Sequence, residues 1–131
     1  MHRPAPGVCA AILACLLLPS AGCIVAAAAA AGSVVYGAIS YHQNEATMDV
    51  QNDLPTVFAA CKAALRELAF PVDDTQQPGA TEGTLNAGEA KVVVERQPGN
   101  LTRVRVRVGT FDTDDNKRRA GLILEATKKR L

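Results

Sequence analysis

The sequence predicts an α+β fold: a two-layer sandwich in which an antiparallel sheet of four to five strands carries two helices on one face. Three stretches predict it. Residues 102–108 alternate Val104, Val106 and Val108 with Arg103, Arg105 and Arg107, the period-two signature of a strand with one buried and one wet face. Leu54, Val57, Phe58, Cys61, Leu65 and Leu68 recur at helical spacing and form one apolar stripe. The final segment opens with Asp112-Thr113-Asp114-Asp115 and closes with Lys128-Lys129-Arg130, the charge order that suits a helix dipole. Stripe and sheet face each need a cover, and each supplies the other's.

The elements follow in order from residue 45, where the folded domain (45–131) is expected to begin. Residues 46–51 set Met48 and Val50 against Thr47, Asp49 and Gln51, a short strand. Asn52-Asp53 offers a helix N-cap, and Pro55 falls in the first turn, where a missing N–H costs nothing. Lys62, Arg66 and Glu67 lie outside the apolar stripe, and Pro71 ends the helix. Residues 70–75 read as a short strand and Pro78-Gly79 as a turn. Residues 81–87 and 91–97 read as strands, the second carrying Val92-Val93-Val94. Pro98-Gly99-Asn100 is a tight-turn sequence leading into 102–108. Ala120, Ile123, Leu124, Thr127 and Leu131 give the last helix its buried stripe. Gly121 weakens that helix by about 1 kcal/mol relative to Ala. The expected order is β-α-β-β-β-β-α.

The first 22 residues read as an address. Residues 1–8 hold one Arg and two Pro, and residues 8–18 are a nearly unbroken apolar run of signal-peptide length, too short to cross a bilayer alone. Pro19 breaks the run. Ser20-Ala21-Gly22-Cys23 follows: small residues let an extended backbone into a peptidase groove, and the cysteine after them supplies a thiol for acylation. This resembles a bacterial lipobox, with cleavage between Gly22 and Cys23 and lipid on Cys23, although Ser20 stands where the commonest form has Leu. A diacylglycerol and a further acyl chain such as palmitate would bury many methylenes at roughly 0.8 kcal/mol each, enough for stable attachment. Residues 23–44 then form an Ala/Gly-rich tether. By resemblance to lipoproteins of Gram-negative bacteria, the non-acidic Ile24 implies the outer membrane, facing the periplasm. The alternative is a single transmembrane anchor in the inner membrane, because residues 24–39 are also apolar; at sixteen residues they fall short of the roughly 20 that a span needs. Tyr36 and Tyr41 suit a headgroup level or an ordinary core.

Composition narrows the function. The formal net charge is +1, which gives no case for nucleic acid. The charge is uneven: residues 45–95 hold nine acidic and three basic side chains, and residues 96–131 ten basic and four acidic. Facing halves would match these charges. Of four cysteines, Cys9 and Cys15 lie in the signal stretch and Cys23 at the cleavage site. Cys61 is left alone in the domain, without a disulfide partner, on a buried helix face. His42 lies in the tether with no ligand at metal spacing. Asp73-Asp74 and Asp112/Asp114/Asp115 read as a turn and a helix start. No phosphate loop, serine elbow or zinc motif occurs, so neither a cofactor nor a catalytic constellation is implied.

Arg103, Arg105 and Arg107 are the one feature with binding chemistry. They repeat every 6–7 Å or so along a strand face, and guanidinium groups clamp phosphate or carboxylate bidentately. An anionic envelope component or a protein partner would fit. The plain alternative is a solvated face with cross-strand partners such as Glu95.

The Ala/Gly-rich stretch after Cys23, the A-x-x-A-L-x-x-L helix from Ala60 to Leu68, and Leu101-Thr102-Arg103-Val104-Arg105-Val106-Arg107-Val108-Gly109-Thr110-Phe111 before the last helix resemble the small bacterial lipoproteins of domain-of-unknown-function family 3568. Many members carry Gly after that Phe; this chain has Asp112. The resemblance implies a periplasm-facing lipoprotein and supplies no activity. The expected function is a noncatalytic binding or assembly module of the cell envelope. The alternatives are a small envelope hydrolase or transferase, or a carrier with an apolar cavity between sheet and helices.

Overall fold

A computed structural model of the chain describes residues 36–131; the expected signal peptide, the expected cleavage and lipidation site at Gly22–Cys23 and the expected tether through residue 35 lie outside the described residues. The elements are β1 (Ser40–His42), β2 (Glu45–Val50), α1 (Leu54–Glu67), β3 (Glu82–Ala87), β4 (Ala90–Gln97), β5 (Leu101–Val108) and α2 (Asp114–Lys128). All strand pairs are antiparallel, in the order β1-β2-β5-β4-β3. Both helices cover one face of this five-stranded sheet, which is the α+β sandwich the alternation and the stripes predict.

The core follows from the two periodicities. Val92, Val94, Val104, Val106 and Val108 are completely buried, as are Ala46 and Leu85 on the flanking strands. They meet Leu54, Val57, Phe58, Cys61 and Leu65 of α1 and Ala120, Ile123 and Leu124 of α2. A buried Val or Leu side chain contributes about 1.5–3 kcal/mol at most, so this layer dominates the stability of a chain with no Trp. Thr102, also buried, donates its hydroxyl to the Asn52 carbonyl at 2.7 Å, tying the start of β5 to the β2–α1 connection. The N-caps differ. Asp53 takes the N-cap position of α1 without a side-chain hydrogen bond, whereas the Thr113 hydroxyl accepts from the Asn116 amide at the start of α2.

The fifth strand is not the expected one. Residues 70–75 form no strand, and Ser40–His42, assigned to the tether by sequence, forms β1 instead, so the order is β-β-α-β-β-β-α. The reason lies in the backbone groups. Asp73 accepts from the Thr75 amide and hydroxyl at 2.9 and 2.7 Å, and the Lys62 ammonium takes the Asp74 and Gln76 carbonyls at 3.1 and 2.6 Å. Local side-chain bonds of this kind displace a ladder. β1 pairs with β2 from Ser40↔Thr47 to His42↔Glu45, and Tyr41 reaches over α2 against Gly121. His42 is therefore a strand residue, exposed, rather than part of a free linker. Among the described residues, no helix is long and apolar enough to cross a membrane.

Candidate functional site

Antiparallel register aligns the face opposite the helices into rows, because paired residues point the same way. One row reads Asp49↔Arg103↔Glu95↔Glu82, the next Ser40↔Thr47↔Arg105↔Val93↔Thr84, and the third contains Arg107↔Lys91↔Asn86. Among the described residues no helix lies over this side, and its charges are held in different ways from one row to the next.

Arg103 is fully engaged. Its Nε and Nη2 donate to the two carboxylate oxygens of Asp49 at 2.8 and 2.9 Å, the bidentate fork that guanidinium geometry favours. That hydrogen bonding strengthens the hold of Arg103 on its proton. Arg105 is half engaged. It pairs with Glu95 through Nη2 alone, and its buried Nε finds no acceptor among the described residues. Arg107 is exposed and, among the described residues, hydrogen-bonds only the Thr110 carbonyl, through Nη2 at 3.3 Å. So the predicted stripe separates into a locked, a partly used and an available guanidinium.

Two surface depressions flank the available end. One, of about 170 Å³, is lined by Glu45, Lys91, Val93, Arg105 and Arg107. Its neighbour, of about 190 Å³, is lined by His42, Gln43, Asn44, Glu45 and Arg107. Lys91 and Glu45 were not singled out from the sequence. The signal for Lys91 was its parity: in β4 it alternates with the buried Val92 and Val94, sharing its face with Val93 and Glu95.

Beside these depressions, the β5–α2 loop is fastened by side chains. Asn44 Nδ2 donates to the Gly109 carbonyl at 3.2 Å, Arg107 to that of Thr110, and Asn116 Nδ2 to that of Phe111 at 2.9 Å. The Phe111 side chain itself is 76% exposed. A larger hollow of about 400 Å³ at the opposite end of the sheet is lined by polar side chains including Asn52, Asp53, Arg96, Gln97 and Asn100.

The other candidates carry less chemistry. Cys61 is buried and its thiol is pushed up to about 12 by that burial, against a smaller pull from the Thr127 hydroxyl; a thiolate nucleophile needs the opposite shift. Among the described residues, no group of three or more His, Cys, Asp or Glu could hold a metal ion. Asp73-Asp74 lie in the pinned loop after α1, where Asp74 pairs with Arg66. Asp112 and Asp115 pair with Lys117 and Arg118 at 3.0 and 2.6 Å.

Fold and surface together define a small α+β domain whose helices cover one side of an open sheet and whose strands carry most of their ionisable side chains on the other. The chain belongs to the family described as "Protein of unknown function (DUF3568)", which it matches over residues 7–127. No curated protein matches it.

Proposed function

We propose that the chain is a lipoprotein of the cell envelope, anchored through acylated Cys23, whose folded domain is a noncatalytic binding or assembly module. The observation that carries the binding reading is the uncovered sheet face, where Lys91 and Arg107 lie in one depression without a carboxylate ion pair among the described residues. Solvated strands normally neutralise such charges across the ladder, as Arg103 and Asp49 do. The anchor reading is supported by Ser20-Ala21-Gly22-Cys23 behind its apolar run, and the family match takes in that segment from residue 7. Twelve residues separate Cys23 from Tyr36, a short leash that would keep the domain close to its membrane. Ile24 favours the outer membrane, facing the periplasm. A carrier reading needs room between the layers, and there Leu54, Leu65, Ile123 and the valines of β4 and β5 pack with no exposed surface to speak of.

The test has two parts. Fatty-acid labelling and the mass of the mature protein should show a chain beginning at a modified Cys23, and Cys23→Ser should leave the precursor uncut and unlabelled. A mature chain that begins at residue 1, or an unmodified Cys23, would overturn the anchor. Tagged protein captured from membranes should then lose bound components when Arg103, Arg105 and Arg107 are all changed to Ser. An unchanged set would remove the sheet face from the proposal.

A further inference from the structure

We infer that Lys91, Arg105 and Arg107 form a binding site for a phosphate group on the open sheet face. The inference deepens the binding-module reading and rests on it, but not on the lipid anchor. Lys91 and Arg107 are direct register partners on β4 and β5. Like charges placed opposite one another across a ladder repel and destabilise the pair, and here no carboxylate forms an ion pair with either among the described residues. An anion held between them converts that repulsion into attraction. The depression they line supplies the room: Val93, the partner of Arg105, is short and leaves the floor open, and the hollow measures about 170 Å³.

The donor count favours a phosphate over a carboxylate. Lys91 has three N–H donors and Arg107 spends one on the Thr110 carbonyl; Arg105 spends Nη2 on Glu95, and its Nε, though without a partner among the described residues, is too buried to reach an ion in the hollow, so Arg105 contributes mainly its charge. A phosphate ester brings three acceptor oxygens and a charge near −1.5 to −2, matching two unpaired cations and a partly used third. Guanidinium forks and ammonium groups are the usual pair for such an ion. Arg103 takes no part: it lies outside the lining of the hollow, and its Nε–Nη2 edge belongs to Asp49. Glu45 lines the same hollow and opposes an anion, so it sets an upper bound on affinity and gives the test a second sign.

The experiment titrates the full mature protein with inorganic phosphate by calorimetry, with sodium chloride at equal ionic strength as reference. Phosphate should bind one saturable site. Lys91→Ser and Arg107→Ser should each weaken it about tenfold or more, as expected for a lost charge-assisted hydrogen bond. Glu45→Gln should tighten it, and Arg118→Ser, on α2, should leave it unchanged. Lys91 is exposed and relieves a like-charge pairing when removed, so in phosphate-free buffer Lys91→Ser should melt at the wild-type temperature or above it, whereas Arg107→Ser also gives up its bond to the Thr110 carbonyl. Glycerol 3-phosphate and glycerophosphoglycerol then separate a soluble ester from a lipid headgroup: tighter binding of the first assigns the former, of the second the latter. A phosphate response no greater than that of chloride, serine variants that bind like wild type, or a Lys91→Ser variant that melts several degrees lower would each overturn the site. If phosphate fails while the triple arginine substitution still alters membrane capture, the site is lost and the binding-module reading survives.

Discussion

Cys61 shows how one side chain sets a pH limit. Burial raises its thiol from 9.0 to about 12. Between those values the unfolded chain gives up the proton and the folded chain keeps it, so stability falls as pH rises, by roughly 1.4 kcal/mol per unit. Urea unfolding of wild type and Cys61→Ala from pH 8 to 11 should therefore converge, because only wild type carries this loss; parallel curves would contradict it. Gly83 carries a different constraint. A Cβ there would lie 2.7 Å from two ring carbons of Phe58, which is almost fully buried. Gly83→Ala should cost about 1–3 kcal/mol through overpacking, read as a lower thermal midpoint. Gly121 was expected to weaken α2, and the structure supplies the reason it is there: the Tyr41 hydroxyl occupies the space of a side chain. The binding residues were only half legible at this scale. The arginines announce themselves by alternation, and Glu95 was legible as a cross-strand partner, which Arg105 takes; the Asp49 carboxylate that holds Arg103 sits on β2, and no spacing within one strand says which arginine meets which partner.

At the scale of elements, the exposed edge of β3 is closed by side chains of the preceding loop. Gln76 donates its amide nitrogen to the Asn86 carbonyl at 3.0 Å and accepts from the Asn86 amide at 2.7 Å, and the Gly79 amide donates to the Glu82 carbonyl at 2.8 Å. One glutamine thus mimics a residue of a sixth strand, and unprotected edges invite pairing with other chains. Gln76→Ala should lower stability by about 1–2 kcal/mol and produce self-association that grows with concentration in sedimentation. A monomer at all concentrations would show that the loop backbone alone suffices. The same loop explains which elements could be read in advance. Strong alternation placed β4 and β5, and the stripe of Leu54 to Leu65 placed α1. Residues 70–75 look strand-like, but Lys62 and Asp73 claim their backbone groups. β1 is three residues long, too short to show a period, and its pairing with β2 exists only once the hairpin closes.

Across the whole molecule, the acidic first part and basic last part of the sequence meet as expected of a compact domain. Arg103–Asp49, Arg105–Glu95, Arg119–Glu89 and Arg130–Glu67 join the two parts, while Arg66–Asp74, Lys117–Asp112 and Arg118–Asp115 stay within one. Exposed pairs contribute little singly and are screened by salt. One of them, Arg119–Glu89, has a signature in pH, and so does the Asp73 turn. The Arg119 hydrogen bond lowers the Glu89 carboxyl below 4.5, and the Thr75 bonds lower that of Asp73 below 3.8. A group depressed in the folded state contributes above its unfolded value and loses that contribution as pH falls through the folded one. The urea midpoint should hold down to about pH 5 and then decline, less steeply for Glu89→Gln; a flat profile to pH 3 would refute the assignment. The place where the chain enters the sheet has a mechanical corollary. Gly37 bonds to the Asp49 carbonyl at 2.9 Å and β1 is an outer strand, so any pull on the preceding residues reaches the domain through that short ladder. Load arriving there opens hydrogen bonds in succession, as a zip opens, and β1 gives way before the valine layer is stressed. The hairpin then acts as a few residues of reserve length, with the arginine and lysine of the opposite rim still in register.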